Sequence, residues 1–257
     1  MFRTLKDIAV LMRMARALAA YDALLPREYA ARVPLSLRLA ARLFGSGKRR
    51  HAQLSPGQRL AQALEQLGPS AIKLGQFLAT RPDILGADIA RGLETLQDRL
   101  PPFPETEARR IVEAELDRPL HKAFADFGPP VAAASIAQVH RAETADDPPR
   151  CVAVKVLRPG IEARFAQDFR AFRFAAALAE RLSSEARRLR PVDLVDTLAR
   201  SVALELDLRM EGAAAAELAE NMRDNLTFEE AIFTLTLAVQ RLADLGTAPS
   251  ATARSTT

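Results

Sequence analysis

Two runs of strand-forming residues separated by a turn place the strongest constraint on how this chain folds. The first run covers residues 131–142 and the second covers residues 151–158, with a polar insert at 143–150. The insert contains the sequence Asp-Asp-Pro-Pro, which favours a turn and cannot continue a strand. The pattern therefore predicts a β-hairpin over residues 131–158.

Lys155 lies in the second run, where a strand would place it on a mostly apolar face. Side chains along a strand alternate between two faces. One face therefore carries Val152, Val154 and Val156, and the other carries Cys151, Ala153, Lys155 and Leu157. A buried ammonium group in such a position requires either an anionic ligand or a carboxylate from elsewhere in the chain.

Residues 152–155, Val-Ala-Val-Lys, fit the strand-lysine pattern of protein kinases. In that pattern the lysine pairs with the phosphates of ATP and with a glutamate on the following long helix. Ala153 shares the face of Lys155, where a small side chain would leave room for a flat base. A lysine at the edge of a sheet explains the same four residues without a ligand, so the motif alone leaves both interpretations open.

Composition limits the classes of protein to which the chain can belong. Its 257 residues, 49% of them apolar and 26% charged, suffice for one large domain or two small ones. The net charge of +4 allows attraction to phosphate or to an anionic membrane surface, and it equally fits a solvated arginine-rich surface. Basic residues are not interleaved with aromatic residues that could stack on bases, so a nucleic-acid partner is not expected.

Cys151 is the only cysteine, so the chain forms no internal disulfide, which fits a reducing cytoplasm. Its place in a predicted strand indicates a small core residue. No run of about 18 apolar residues occurs, so we expect no transmembrane helix.

The N-terminal segment, residues 2–24, has the pattern of a basic amphipathic helix. Its predicted apolar stripe comprises Leu5, Ile8, Ala9, Met12, Ala15 and Ala19. Such a helix packs against its own domain, binds a partner or lies on an anionic membrane surface, and the sequence leaves these alternatives open. A second helix is predicted over residues 27–43, followed by a flexible basic linker at 45–51.

Further helices are predicted along the rest of the chain. Their expected ranges are 55–67 with Ser55 as N-cap, 69–80, 87–97, 104–116, 161–182 and 193–221, with a short amphipathic turn at 121–127. The helix over 69–80 places Lys73 and Gln76 on one face, which indicates contact with another polar element or a simple polar stripe. His121 and His140 have no metal-like neighbours in the sequence and are expected to be ordinary polar residues.

The helix predicted over 193–221 contains an apolar stripe that includes one acid. The stripe consists of Leu204, Leu208, Glu211, Ala215 and Leu218. Glu211 is therefore expected to be buried and to need a cation. Lys155 is the cation that most needs a carboxylate, so we predict that these two side chains pair.

Taken together, these segments resemble the UbiB/AarF family of atypical protein kinases, also called the ADCK or coenzyme-Q kinase-like group. Residues 73–76, Lys-Leu-Gly-Gln, match its K-x-G-Q helix, and residues 132–135, Ala-Ala-Ala-Ser, match its alanine-rich loop. Residues 152–155 match its strand lysine, and residues 205–207, Glu-Leu-Asp, match its E-x-D motif, which Glu211 follows. The four motifs occur in the family's order, and the resemblance covers residues 50–225.

The resemblance implies an ATP site and roles for individual residues. The ATP-binding set would be Ala132, Ala133, Ala134, Ser135, Ala153, Lys155 and Glu211, and the regulatory set over the cleft would be Lys73, Gln76, Glu205 and Asp207. Lys155 and Glu211 would form the ion pair that positions the nucleotide lysine. Lys73 and Gln76 would have Glu205 and Asp207 as partners across an interface.

Physical chemistry limits what the E-x-D motif and the alanine-rich loop can do. Glu205 and Asp207 lie about 200° apart on a helix, so both can meet one partner only near a helix end or bend. Alanine adopts positive φ less readily than glycine, so the alanine-rich loop would wrap phosphates less closely than a glycine-rich one. The resemblance accordingly implies ATPase-like or small-molecule kinase activity rather than ordinary protein phosphorylation.

The sequence after residue 225 departs from the family pattern. A kinase requires a catalytic-loop aspartate, an asparagine for metal and a D-F-G aspartate from its C-lobe, and full-length relatives would use Mg²⁺ there. Residues 226–257 contain none of these elements; 228–244 would form a helix or a strand, and the tail is expected to be disordered. We therefore expect a truncated form that lacks the C-lobe and its metal ligands, and the sequence leaves open whether it is an enzyme.

The expected fold class is α+β, with a helical N-terminal extension and a kinase-like N-lobe made of a small antiparallel sheet and a long helix. The predicted segments are 1–50 (basic helix and linker), 51–127 (helical K-x-G-Q extension), 128–225 (N-lobe) and 226–257 (divergent element and tail). We expect a UbiB-type kinase or ATPase-like protein linked to ubiquinone biosynthesis that binds ATP, located in the cytoplasm or peripherally on the inner membrane. The alternative is a non-catalytic module that binds a membrane surface or a quinone-biosynthesis partner.

Overall fold

The computed structural model describes residues 2–23, 53–96, 100–221 and 235–238. Its class is α+β, as predicted. The helix predicted over residues 27–43, the linker at 45–51 and the tail after residue 238 lie outside the described residues.

Helices make up most of the described chain. The helices are α1 (Phe2–Ala20), α2 (Pro56–Leu67), α3 (Pro69–Ala79), α4 (Pro82–Leu85), α5 (Ala87–Leu93), α6 (Glu105–Leu116), α7 (Leu120–Ala123), α8 (Ile161–Leu182), α9 (Ser184–Leu189), α10 (Pro191–Leu206) and α11 (Leu208–Asn221). The strands are β1 (Phe124–Ala133), β2 (Ala137–Thr144), β3 (Cys151–Leu157) and β4 (Leu235–Ala238). The helix predicted over 161–182 is confirmed, whereas α5 ends at Leu93 because the chain turns there instead of continuing to residue 97.

The chain forms two compact units, each built from two separate stretches of sequence. The first unit comprises Met1–Leu100 and Gly160–Ala203, and the second comprises Pro101–Pro159 and Leu204–Thr257. The helix α8 therefore belongs with the N-terminal helices, although it directly follows β3. The linear boundaries at residues 50, 127 and 225 stay a prediction.

In the first unit, α2 and α5 approach each other through two glycines. A Cβ atom at Gly57 would lie 2.7 Å from the carbonyl oxygen of Ile89 and 2.8 Å from the Cα of Gly92. Because both of these neighbours are backbone atoms, neither can move aside without separating the helices. The core of this part of the unit contains Ala61, Leu64, Leu67, Ala71, Ile89, Leu93 and Leu96.

The N-terminus of α2 is capped as predicted. Ser55 Oγ accepts a hydrogen bond from the backbone N–H of Gln58 (3.2 Å), and Gln58 Oε1 accepts one from the backbone N–H of Ser55 (2.9 Å). This reciprocal arrangement is a capping box, which satisfies two of the amides that a helix N-terminus leaves unpaired.

The helix α1 packs against α8 within the first unit. Ion pairs join Asp7 to Arg170 (3.8 Å) and Arg13 to Asp168 (3.4 Å). The predicted apolar stripe is wrong at Ile8 and Ala9, which are exposed, because these ion pairs hold α1 in an orientation that turns Val10 inward instead. The structure therefore shows α1 packed within its own unit. Binding of this helix to a membrane or a partner stays a prediction.

The second unit is built on a sheet with the strand order β1-β2-β3-β4. β1 and β2 are antiparallel, as are β2 and β3, whereas β4 pairs in parallel with β3. The predicted hairpin is thus confirmed for β2 and β3. The ambiguous segment 228–244 contains the strand β4.

One face of this sheet is the core of the second unit. Val152, Val154 and Val156 are buried there, as the alternation in β3 predicts, and α6 packs against them through Ala108 and Val112. Cys151 is only half-buried, so its prediction as a core residue is wrong. It lies at the start of β3 on the opposite face, where its Sγ atom accepts a hydrogen bond from the Arg141 Nε at 3.3 Å.

The strand β1 was not expected from the sequence. The amphipathic turn predicted at 121–127 is wrong, because the short helix α7 leads directly into β1. Gly128, Pro129 and Pro130 obscure the strand pattern, and the register between β1 and β2 shifts on both sides of Pro130. Proline donates no hydrogen bond and is tolerated here because β1 is an edge strand. The predicted first run at 131–142 therefore divides into the end of β1, a turn and β2.

The single long helix predicted over 193–221 is wrong, since α10 and α11 are separated at Asp207. Asp207 Oδ1 accepts a hydrogen bond from the backbone N–H of Arg209 (3.2 Å), which is the pattern of a helix N-cap. The Nε and Nη2 atoms of Arg209 also donate to this carboxylate, each at 2.9 Å. These side-chain hydrogen bonds hold the pKa of Asp207 below its usual value.

Candidate functional site

Lys155 and Glu211 meet on the face of the sheet opposite the buried valines. The Lys155 Nζ donates a hydrogen bond to the Glu211 Oε2 over 2.6 Å. The Lys155 side chain is 26% exposed and the Glu211 side chain is 44% exposed. The structure therefore contains the ion pair predicted from the sequence, and that pair joins β3 to α11.

The position of Glu211 follows from the residue at which α11 begins. Asp207 caps this helix, and Glu211 consequently falls in its first turn. A carboxylate in the first turn interacts favourably with the partial positive charge at a helix N-terminus. The aspartate of the E-x-D segment thus sets the start of α11 and, through it, the place of the glutamate that binds Lys155.

The expectation that Glu211 is buried is wrong. Leu204 is 64% exposed and Glu211 is also exposed, although Leu208 is buried. The predicted stripe assumed one continuous helix. Because the helix breaks at Asp207, residues before and after the break no longer share one helix face. As a pair in contact with solvent, Lys155 and Glu211 contribute only about 0.2–1 kcal/mol to the stability of the fold.

The alanine-rich segment is the tight end of the hairpin between β1 and β2. Ala132 and Ala133 are the last residues of β1, and Ala134 and Ser135 lie in the turn that follows. Ser135 is fully buried. None of these four residues has a positive φ, so the turn uses backbone conformations that alanine adopts without strain.

Several small side chains share the face of the sheet that carries Lys155. The pairing of the strands places Val139 beside Lys155 and Ala132 beside Val139. Ala153 precedes Lys155 on the same face and is half-buried. These apolar side chains therefore lie on the same face of the sheet as the ammonium group of Lys155.

Lys73 and Gln76 lie on α3 in the first unit, and both are half-buried. Between them, Gly75 packs beneath two leucines: a Cβ atom there would lie 2.3 Å from Leu96 Cδ1 and 2.7 Å from Leu64 Cδ1. A larger residue at position 75 would therefore require both leucine side chains to move.

Glu205 and Asp207 lie in the second unit, on either side of the end of α10. This is the helix end at which the two carboxylates can approach a common partner, as their spacing requires. The predicted contact of Lys73 and Gln76 with Glu205 and Asp207 would join the two units and stays a prediction.

A buried polar network on the valine face was not expected from the sequence. His140, predicted to be an ordinary polar residue, is fully buried and stacks on Phe127 with ring centres 4.7 Å apart. Its Nδ1 lies 2.9 Å from the carbonyl oxygen of Gly128, and its Nε2 lies 2.9 Å from the Nε2 of Gln138. The backbone N–H of Phe103 donates to Gln138 Oε1 (2.9 Å). This bond orients the Gln138 amide.

The orientation of Gln138 determines the protonation state of His140. Because Gln138 Oε1 accepts from Phe103, its Nε2 faces the imidazole as a donor. The His140 Nε2 must then accept, and the Nδ1–H donates to Gly128. The network therefore requires a neutral imidazole, and burial lowers the pKa of His140 accordingly.

Residues 126–128 spell Asp-Phe-Gly, the letters of the metal-binding motif of kinases. They lie in β1, ahead of Lys155, whereas the kinase motif follows the strand lysine and belongs to the C-lobe. Phe127 is part of the core, and Gly128 provides the carbonyl that binds His140. Within the described ranges, no group of three His, Cys, Asp or Glu side chains could hold a metal ion.

A small antiparallel sheet whose strand lysine pairs with a glutamate on a nearby helix defines the class of kinase-like N-lobes. Comparison with protein families agrees: the ABC1 atypical kinase-like domain matches residues 95–229, just over half of the chain. The chain belongs to this family.

Individual proteins with similar sequences carry a kinase name. A protein of Marinobacter nauticus named Probable protein kinase UbiB is 46% identical over 174 residues, which are 67% of this chain and 31% of the relative. Proteins of the same name from Pseudomonas putida and Shewanella denitrificans are 43% identical over 180 residues and 38% identical over 202 residues, covering 33% and 37% of those relatives. The chain thus spans about a third of the length of the curated relatives that it matches.

Of the helices in the described ranges, none combines the length and the apolar composition that crossing a membrane requires.

Proposed function

We propose that the second unit binds ATP, with Lys155 as the cation for its phosphates, in a UbiB-type kinase-like protein that acts in ubiquinone biosynthesis. The observation that carries this proposal is the Lys155–Glu211 pair, which is 2.6 Å long and partly open to solvent. Ala132 of the alanine-rich segment lies on the same sheet, with β2 between it and Lys155. The membership of the ABC1 atypical kinase-like family supports it.

The geometry of the pair favours a ligand-binding role over a structural one. An exposed ion pair adds little to stability, so stability alone does not account for its presence. An ammonium group has three N–H donors, and a single contact with Glu211 Oε2 leaves it able to donate to a phosphate as well. In this arrangement Glu211 orients Lys155, and the phosphate accepts hydrogen bonds from the remaining N–H donors of the lysine.

The base of the nucleotide would lie against the small side chains next to Lys155. Ala153 and Val139 are half-buried, so a flat ring placed on them would remove apolar surface from water. Neither side chain carries a polar group that would select one base. We therefore expect weak selectivity for adenine over guanine from this half of the site.

Binding is the activity we propose for the second unit, with Lys155 as the cation that meets the charge of the phosphates. Phosphoryl transfer requires Mg²⁺ ligands and a base that orients the nucleophile. Since the described ranges hold no group of three His, Cys, Asp or Glu side chains that could bind a metal ion, we expect no measurable ATPase activity from these residues alone, and magnesium-dependent hydrolysis that Lys155→Ala abolishes would contradict this.

The test is a titration of the chain with a fluorescent ATP analogue, with and without Mg²⁺. The wild type, Lys155→Ala and Lys122→Ala would be compared; Lys122 is an exposed lysine of the same unit and serves as the matched control. Loss of one charge-assisted hydrogen bond should weaken binding by about 10- to 100-fold in Lys155→Ala only. Equal affinity in all three proteins would refute the proposed site.

A further inference from the structure

Arg158, the first residue after β3, connects the turn of the alanine-rich segment to the chain before α6. Its Nε and Nη2 donate to the carbonyl oxygen of Ala134 at 3.0 and 2.8 Å. The same Nη2 also donates to the carbonyl oxygen of Pro101 at 2.9 Å. One guanidinium group therefore binds two backbone carbonyls that are 33 residues apart in sequence, at positions 101 and 134.

Two further contacts hold the same residues together. The backbone N–H of Arg158 donates to the carbonyl oxygen of Ile136 (2.9 Å), so the turn is bound by both the main chain and the side chain of Arg158. The guanidinium carbon lies 5.8 Å from the ring centre of Phe103, within the range of a cation–π contact. Arg158 thus joins β3, the turn and residues 101–103 at one point.

The three alanines of the turn contribute no side-chain hydrogen bonds to hold it. Ala132, Ala133 and Ala134 carry only methyl groups, which form no hydrogen bonds. A peptide unit is planar and trans, so the carbonyl of Ala134 and the N–H of Ser135 point in opposite directions. Binding of the Ala134 carbonyl by Arg158 therefore fixes the direction of the Ser135 N–H.

We propose that Arg158 is a positioning residue for nucleotide binding: it touches no ligand, and it holds in place the alanine-rich turn of the sheet that carries Lys155. This inference rests on the proposed ATP site. These contacts require arginine rather than lysine. A guanidinium group is a planar fork of donors, so it can bind the Ala134 carbonyl through two nitrogens and at the same time reach the Pro101 carbonyl and the Phe103 ring.

The experiment compares the full chain with Arg158→Lys and Arg158→Gln. Arg110→Lys is the matched control, since Arg110 is an exposed arginine of the same unit that pairs with Glu107. Two quantities would be measured: amide hydrogen exchange of peptides covering residues 132–138 without nucleotide, and the affinity for the ATP analogue. Far-UV circular dichroism would show that each variant folds.

We expect both Arg158 variants to exchange faster over residues 132–138 and to bind the analogue about tenfold more weakly, with Arg110→Lys unchanged in both respects. Lys155→Ala should weaken binding without faster exchange in the turn, which separates positioning from direct contact. Unchanged exchange in Arg158→Lys would overturn the proposal, as would faster exchange with unchanged affinity. If the wild type binds no ATP analogue, the proposed site and the positioning role both fall, while the exchange result still decides whether Arg158 anchors the turn.

Discussion

Lowering the pH from 7.5 to 5.5 should destabilise the second unit through His140. Its imidazole accepts a hydrogen bond from Gln138 and donates one to Gly128, so an added proton on Nε2 would face a donor. Burial is the main cause of its lowered pKa; the carbonyl of Gly128 and the charge of Glu105 oppose this effect, and Arg109 adds to it. In the unfolded chain the same histidine titrates near its ordinary pKa of about 6.5.

The sign of the effect follows from linkage between protonation and folding. A histidine whose pKa is lowered on folding stabilises the folded state above the unfolded pKa, and this contribution is lost as the pH falls. If His140 stays neutral in the folded state, the free energy of unfolding falls by about 1.4 kcal/mol between pH 7.5 and 5.5. This value is an upper limit, because the folded state begins to bind the proton as the pH approaches its own pKa.

Urea unfolding at the two pH values, followed by far-UV circular dichroism, measures this loss. His140→Gln loses the contacts of the buried imidazole, so we expect it to be less stable at pH 7.5. Its uncharged side chain cannot titrate, so on acidification it should lose less stability than the wild type, by up to about 1.4 kcal/mol. His121→Gln, which replaces an exposed histidine on α7, is the matched control for the loss of a histidine. An identical pH dependence in the wild type and His140→Gln would refute the reasoning.

Three further predictions follow from the packing, the helix cap and the ion pair. Gly57→Ala should destabilise the first unit by about 1–3 kcal/mol in thermal unfolding, because its Cβ would meet the backbone of Ile89; an unchanged melting temperature would contradict this. Asp207→Ala should speed amide exchange in the first turn of α11, whereas Asp207→Asn should not, since asparagine also caps helices; equal exchange in both variants would argue against the cap. Lys155→Met should lower the free energy of unfolding by no more than about 1 kcal/mol, and a loss several times larger would show that the pair is mainly structural.

Sequence patterns predicted those parts of the fold whose structure depends on residues close together in the sequence. The alternation in β3 gave its two faces, and the turn at 145–150 gave its pairing with β2. The Ser55 cap was likewise predictable, because a capping box involves residues three positions apart. The pairing of Lys155 with Glu211 was predicted, although the premise that Glu211 is buried was wrong.

Other features depend on contacts that sequence patterns do not reveal. Gly128 and the prolines beside it resemble a turn, and only pairing with β2 makes β1 a strand. Asp207 lies within a helical pattern that continues on both sides, so the break and the exposure of Glu211 were missed. The contacts of Arg158 and His140 join residues far apart in sequence, and no local signal indicates them.

The proposal that Lys155 binds phosphate is tested most directly by comparing ATP with adenosine. Affinities of the wild type and Lys155→Ala for both ligands would be measured by competition against the fluorescent ATP analogue. We predict that the wild type binds ATP at least tenfold more tightly than adenosine, and that Lys155→Ala loses this preference while its affinity for adenosine is unchanged. The same preference for ATP in both proteins would contradict the proposal, because the phosphates would then be bound elsewhere.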